Sequence, residues 1–150
     1  MSDVMTFIVN PEAAETDPDG RLVSLGEWSE AIARQKAAEE GMEWKGPEGA
    51  DLERLTIEEE RALIQALARY PEIVETAARA VEPQHIANYL MDLAQTFNAY
   101  FTRGTRDKSL RFVVPGDPAL SQARLSLIAA LKTVLSNALE LIGVSAPEKM

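Results

Sequence analysis

Apolar residues recur every three or four positions along the C-terminal two-thirds of the chain, which is the spacing of one helical face. The longest such stretch begins after Pro83. Its apolar stripe consists of Ile86, Tyr89, Leu90, Leu93, Ala94, Phe97, Tyr100 and Phe101. We therefore predict a long helix here, buried along one face and ending near Gly104.

Two shorter helices are predicted before this one. Thr56 and Glu59 have the spacing of a capping box and open the first of them. The step from Tyr70 to Pro71 ends that helix, because the residue before a proline avoids helical geometry. Pro71 suits the first turn of the second helix, which continues to Pro83.

A fourth helix is predicted at the C-terminal end. Asp117 is a good N-cap, Pro118 fits the first helical position, and Gly143 is a typical stop signal. Four helices joined by short connections predict an antiparallel bundle over residues 52–150.

The first 41 residues have a different pattern. Two short β-prone runs, MTFIV and RLVSL, flank the turn signature DPDG and predict a small β-hairpin. Ser24 and Glu27 then open a helix that carries Trp28 and ends at Gly41. The stretch from Gly41 to Asp51 holds three glycines and one proline, and it predicts a linker over residues 42–51. The expected fold is mainly α, a helical bundle with a hairpin-plus-helix appendage over residues 1–41.

Composition narrows the possible classes of protein. The 150 residues are 46% hydrophobic and suit one compact domain with a modest appendage. No apolar run reaches the roughly 18 residues needed to cross a bilayer, and the first residues lack a signal-peptide pattern, so we expect a cytoplasmic protein without a membrane partner. The chain has no cysteine and one histidine, His85, which excludes thiol chemistry and histidine-based metal sites. We expect no cofactor.

The charge is distributed unevenly. The net charge is −9, and residues 1–60 hold 16 acidic against 5 basic side chains. Residues 101–135 are instead net positive, with the bases Arg103, Arg106, Lys108, Arg111, Arg124 and Lys132. Charge alone leaves two interpretations open, ordinary solvated surfaces or a local anion-binding face, because an exposed cation acts mainly within about 10 Å at moderate salt.

The C-terminal region, from about Ala50 to Met150, closely resembles the anticodon-binding domain of arginyl-tRNA synthetases, the helical type called DALR. The matching runs are ADLERLT, ALIQALARYPEIVETAARAVEPQHIANYLMDLAQTFNAYF, RGTRDKSLRF and ARLSLIAALKTVLSNALELIGVSAPEKM. The resemblance implies a bundle that docks on the anticodon arm of the arginine tRNA. Such recognition stacks unpaired bases on aromatic rings, at roughly 1–3 kcal/mol per base, while Lys and Arg hold the phosphates.

The resemblance also implies roles for particular residues. Tyr100 and Met150 align with the family's base pocket, as a stacking platform and an apolar wall. Phosphate or base-edge contacts are expected from Arg103, Arg106, Lys108 and Arg111, with Asn98, Arg124 and Lys149 as further candidates. Each has a structural alternative: by spacing alone Tyr100 belongs to the core, Met150 is a frayed terminus, Asn98 packs or faces solvent, and Arg124 forms a salt bridge across the bundle.

The synthetases' catalytic core, with its HIGH-like and KMSK-like motifs, is absent from this sequence. We therefore expect a tRNA-binding module that supports arginyl-tRNA formation only with a catalytic domain, joined to it or supplied in trans. The alternatives are a non-catalytic protein-interaction adaptor or a degenerate stand-alone paralogue. An autonomous enzyme is disfavoured, because no nucleophile, metal cluster or acid–base pair stands out.

A second, shorter resemblance covers about residues 17–41. DPDGRLVSLGEWSEAIARQKAAEEG is similar to the N-terminal part of small sulfur-relay proteins of the sulfite-reductase gamma-subunit and tRNA-thiolation type. Those proteins carry sulfur on C-terminal cysteines, and this chain has none. The resemblance therefore implies only the hairpin-plus-helix unit and a docking surface, with Trp28 as a packing residue.

Overall fold

A computed structural model of the protein describes residues 37–38 and 41–144. The α-helices within residues 41–144 are α1 (Glu58–Ala68), α2 (Tyr70–Ala80), α3 (Gln84–Arg106) and α4 (Pro118–Leu141), and short 3-10 turns lie at Leu52–Arg54 and Lys108–Leu110. The described residues contain no strand, so the mainly α prediction is confirmed. The predicted hairpin and Trp28 lie outside the described residues.

Helix α3 is the centre of the core. It packs against α1, α2, α4 and the second 3-10 turn. Every member of its predicted stripe is buried except Phe101, which is partly buried against the same cluster. The ring of Phe97 stacks on Phe101 and on Phe112, with centroids 6.2 and 5.9 Å apart. Burying each such large side chain contributes about 1.5–3 kcal/mol to the stability of the fold. The packing of α3 therefore stabilises the bundle as a whole.

Several predicted helix boundaries are confirmed. Helix α2 has Pro71 in its first turn. At the start of α4, the Asp117 carboxylate accepts a hydrogen bond from the backbone N–H of Leu120 at 3.0 Å, with Pro118 at the first helical position. Gly143 follows the end of α4 with a φ of 75°, a conformation that favours glycine.

The predicted capping box of Thr56 and Glu59 is wrong by one residue. The N-cap of α1 is Ile57, whose backbone N–H donates to Glu60 Oε2 at 3.3 Å. Glu60 reaches back in this way because its other carboxylate oxygen is held in the core. Glu59 faces the end of α3 instead, where it pairs with Arg103.

Gly104 does not end α3, contrary to the prediction. The helix continues to Arg106, and Gly104 is buried within it. A Cβ atom at this position would lie 3.0 Å from the carbonyl oxygen of Leu110. Glycine is therefore needed here so that the second 3-10 turn can approach the helix closely.

The segment predicted as a linker packs on α4. The side-chain amide of Gln122 donates to the carbonyl of Glu43 at 2.8 Å, and Trp44 Nε1 donates to Ser126 Oγ at 3.4 Å. Trp44 and Met42 are partly buried against the core. The domain boundaries at residues 41 and 51 remain predictions. Within residues 41–144, no helix is long and apolar enough to cross a bilayer.

Candidate functional site

Four exposed cations mark the end of α3 and the segment that follows it. Arg103 and Arg106 lie in the last turn of the helix, Lys108 begins the second 3-10 turn, and Arg111 follows that turn. All four residues are exposed. We call this group the cationic edge. With Asp107, the only acid among residues 103–111, this stretch carries a net charge of +3 on an acidic protein.

Two carboxylates lie next to the cationic edge. The guanidinium of Arg103 donates to Glu59 Oε1, although the Arg103 side chain stays 57% exposed. Asp107 Oδ1 accepts from the backbone N–H of Ser109 at 2.9 Å and from its hydroxyl at 2.7 Å. These two hydrogen bonds, with the charge of Arg103, hold the pKa of Asp107 below its ordinary value. Asp107 thus stays ionised and orders the turn.

A cluster of polar side chains lies directly beneath the cationic edge. We call Glu60, Tyr100 and Arg124 the buried node, because they are 0%, 0% and 3% exposed. Arg124 Nε donates to Glu60 Oε1 at 2.6 Å, and the Tyr100 hydroxyl donates to the same oxygen at 3.1 Å. Burial, together with the neighbouring Glu60 carboxylate, raises the pKa of Tyr100 far above its ordinary value despite the nearby positive charge of Arg124.

The buried node is connected directly to the segment after α3. Arg124 Nη1 donates to the carbonyl oxygens of Ser109 and Arg111, each at 2.7 Å. Leu110, between those two residues, is itself buried. One guanidinium therefore joins α1, through Glu60, to the backbone that carries Lys108 and Arg111.

In this structure Tyr100 is not placed as the stacking platform that the resemblance implies. Its ring is fully buried and packs edge-on against Phe112, with centroids 5.2 Å apart. A nucleotide base needs an open ring face, and Tyr100 has none. Its place on the apolar stripe of α3, which indicates a core residue, was the better guide.

Burial also decides the role of Arg124. Its guanidinium is enclosed and paired with Glu60, so the structural salt bridge is confirmed. The alternative role as a phosphate contact has no support in this structure, because a phosphate could not reach a side chain that is 3% exposed.

The roles expected of the remaining candidates stay predictions. Asn98 is partly buried on α3, and within the described part of the chain its Oδ1 is enclosed without a hydrogen-bond donor. Lys149 and Met150 lie outside the described residues. The phosphate or base contacts expected of the cationic edge also stay predictions, and all four of its residues are exposed.

Sequence reasoning missed Glu60. It is the third of three consecutive glutamates, a pattern typical of a solvated helix start. One signal could have found it: Glu60 lies three residues before the buried Leu63, so the two share a face of α1. A charged side chain on a buried face requires a charged partner, and Arg124 provides it.

Comparison with known proteins identifies a matching family model and similar curated proteins. The family model described as the DALR anticodon binding domain matches residues 29–150. The arginine–tRNA ligase of Brucella ovis is 45% identical over 102 residues, which are 68% of this chain and 17% of that protein. The ligase of Brucella abortus strain 2308 is 44% identical over the same length. The matched part of the chain thus spans about 17% of the length of these curated relatives.

Proposed function

The chain belongs to the DALR anticodon binding domain family, and from that premise we propose that it is a tRNA-binding module for the anticodon arm of the arginine tRNA. Its relatives are named arginine–tRNA ligases, which supports that tRNA as the partner. We propose further that it serves arginyl-tRNA formation in the cytoplasm, together with a catalytic domain in the same protein or in trans.

The observation that carries the proposal is the exposed cationic edge. Arg106, Lys108 and Arg111 are exposed within six consecutive residues, whereas the chain as a whole has a charge of −9. Phosphate groups are attracted to such a cluster, and binding releases the counterions condensed on the RNA. The acidic remainder repels the RNA, so the same charges also favour one orientation of approach.

Recognition of the bases needs groups other than Tyr100. We propose that the cationic edge contacts phosphates and base edges and that Met150 and Lys149, as the family resemblance implies, contribute to the base pocket. Asn98, which is partly buried on α3, is a further candidate for a base-edge contact.

The test compares two triple variants of the full chain for binding to an arginine-tRNA anticodon stem–loop. One variant, Arg106→Ala/Lys108→Ala/Arg111→Ala, removes three charges from the cationic edge. The matched control, Arg61→Ala/Arg69→Ala/Arg79→Ala, removes three exposed charges from the region of α1 and α2. Fluorescence anisotropy at several salt concentrations gives the affinity and its salt dependence.

We expect the edge variant to lose at least about tenfold in affinity at low salt. Its slope of log K against log salt should become shallower by roughly 2, since each lost contact to a single strand accounts for about 0.7. The control should keep most of the affinity and slope. Equal losses in both variants, or no binding by the unmodified chain at micromolar concentration and low salt, would contradict the proposal.

A further inference from the structure

We propose that Arg124 is a positioning residue for RNA binding: without touching the RNA, it holds the backbone of residues 107–111 in the conformation that presents the cationic edge. The inference rests on the proposed function. It extends that function to a side chain inside the bundle, 3% exposed, that acts on the binding surface only through main-chain carbonyls.

The first step concerns the carbonyl oxygens of Ser109 and Arg111. Both accept from Arg124 Nη1 at 2.7 Å and therefore point toward the buried guanidinium. Carbonyl oxygens carry partial negative charge and would repel a phosphate if they faced solvent. By turning these two inward, Arg124 leaves the outer side of the segment to the side chains of Lys108 and Arg111, which are exposed.

The second step concerns the orientation of the guanidinium. Arg124 Nε is committed to Glu60, and the Glu60 carboxylate also accepts from the Tyr100 hydroxyl and the Ile57 N–H. A carboxylate held from three directions cannot turn freely. Because the guanidinium is planar, fixing Nε toward α1 also fixes the direction of Nη1, which meets the segment after α3.

The third step is the consequence for binding. A segment already in its binding conformation does not have to be ordered when RNA arrives, so less of the interaction is lost to conformational entropy. If the anchor is removed, ordering even one backbone residue on binding would weaken the affinity by about tenfold. The charges of the cationic edge would be unchanged, but fewer of them would reach phosphates together.

The variant that tests this is Arg124→Lys in the full chain. A lysine retains a positive charge for Glu60, but one ammonium group cannot reproduce the fork that meets both Glu60 and the two carbonyls. The matched control is Tyr89→Phe, which deletes the hydrogen bond from the Tyr89 hydroxyl to the Ala66 carbonyl at 2.8 Å, between α3 and α1. It also removes one partly buried hydrogen bond, but it leaves the segment after α3 unchanged.

Two readouts are taken at a temperature where circular dichroism shows each variant to be folded. The first is the rate of trypsin cleavage after Arg106, Lys108 and Arg111, which reports the mobility of the segment without RNA. The second is the affinity for the arginine-tRNA anticodon stem–loop and its salt slope. For Arg124→Lys we expect faster cleavage at these three sites, about tenfold weaker binding and a shallower slope. For Tyr89→Phe we expect no change in either readout.

The outcomes separate the inference from the proposed function. If the unmodified chain does not bind the RNA, the proposed function fails, and the cleavage rates still test the anchor. If it binds and Arg124→Lys binds equally with the same slope, or the cleavage rates do not change, the inference is overturned while the proposed function stands. If Arg124→Lys does not fold, Glu60→Gln replaces it, with changes expected in the same direction; unchanged binding by folded Glu60→Gln overturns the inference.

Discussion

Arg111 and Arg124 are 13 residues apart and directly connected, yet they lie in opposite environments. Arg124 belongs to the buried node and donates three hydrogen bonds to named partners. Arg111 belongs to the cationic edge, and only its backbone carbonyl takes part in that network. The comparison shows that the residue type does not determine the role, because burial makes one arginine part of the scaffold and leaves the other available to a ligand.

The energetics of the two regions differ for the same reason. An exposed ion pair such as Arg79 with Glu75, whose side chains are 79% and 61% exposed, contributes about 0–1 kcal/mol because water solvates both charges well. In the buried node, removing one partner leaves the other charge buried, with neither water nor an opposite charge to stabilise it. The buried node should therefore dominate stability, whereas the cationic edge should dominate binding.

The largest expected effect is a loss of stability on Arg124→Met. This change leaves the Glu60 carboxylate buried without its cation, which should lower the free energy of unfolding by about 3–5 kcal/mol. Arg111→Met, at an exposed position, should change it by less than about 0.5 kcal/mol. Urea unfolding followed by circular dichroism measures both. Similar small losses in the two variants would remove the distinction between the buried node and the cationic edge.

The next effect is a loss of stability in alkali. Burial raises the pKa of Tyr89 to about 12, and the pKa of Tyr100 is raised further. Because the folded state keeps these protons longer than the unfolded chain, the stabilisation is complete below the ordinary tyrosine pKa of 10 and declines as pH rises above it. For Tyr89 alone the loss approaches roughly 2–3 kcal/mol by pH 12.

Urea unfolding measured between about pH 9 and 12 tests this dependence. Tyr89→Phe is the informative variant, because it removes the titrating group and retains the ring. Its unfolding free energy should fall less steeply with pH than that of the unmodified chain. Parallel curves for the two proteins would show that Tyr89 does not carry the effect.

A smaller effect is expected for Gly104→Ala. In an ordinary helix interior this change stabilises by roughly 0.5–1 kcal/mol. Here the new methyl group would lie 3.0 Å from the Leu110 carbonyl oxygen, on a backbone that Arg124 anchors on both sides. We expect a net destabilisation of about 1–2 kcal/mol, measured by urea unfolding.

The anchor can be tested in the same experiment. In an Arg124→Lys background the segment should be able to move away from the methyl group, so the cost of Gly104→Ala should shrink. An equal cost in both backgrounds would mean that Arg124 does not restrain the segment.

The smallest expected effect concerns the acid within the cationic edge. Asp107→Asn keeps an oxygen to accept from Ser109 but removes a negative charge from residues 103–111. Binding of the anticodon stem–loop should become tighter by about twofold to fivefold. Asp92→Asn, an exposed acid earlier on α3, is the matched control and should have less effect. Equal effects would show that only the net charge matters.

The sequence predicted the helices and several of their ends for physical reasons that are local. The stripe of α3, the Asp117 cap and the stop at Gly143 depend on neighbouring residues, and periodicity and capping chemistry report these directly. The start of α1 was misplaced because Glu60 accepts hydrogen bonds from three partners at once, and one of them is 64 residues away on α4.

Tertiary contacts explain the other differences. Gly104 has the appearance of a helix stop, but its role is set by a carbonyl six residues later that packs against it. Tyr100 combines an aromatic ring with a hydroxyl, so it could stack on a base or donate to a buried acceptor. In the structure its hydroxyl donates to the buried Glu60 carboxylate. The exposure of Arg106, Lys108 and Arg111 could be anticipated from their place beyond the stripe. For Arg124 the sequence left a salt bridge and a phosphate contact open, and only the position of Glu60 identifies the salt bridge.

The central claim is that RNA meets the molecule at the cationic edge. The most direct measurement is a chemical-shift titration of the ¹⁵N-labelled full chain with the arginine-tRNA anticodon stem–loop. We predict that, within residues 41–144, the largest shifts lie between Arg103 and Val113 and that α2 is little affected. Shifts concentrated on α2, or no shifts at RNA concentrations that saturate binding by anisotropy, would contradict the account.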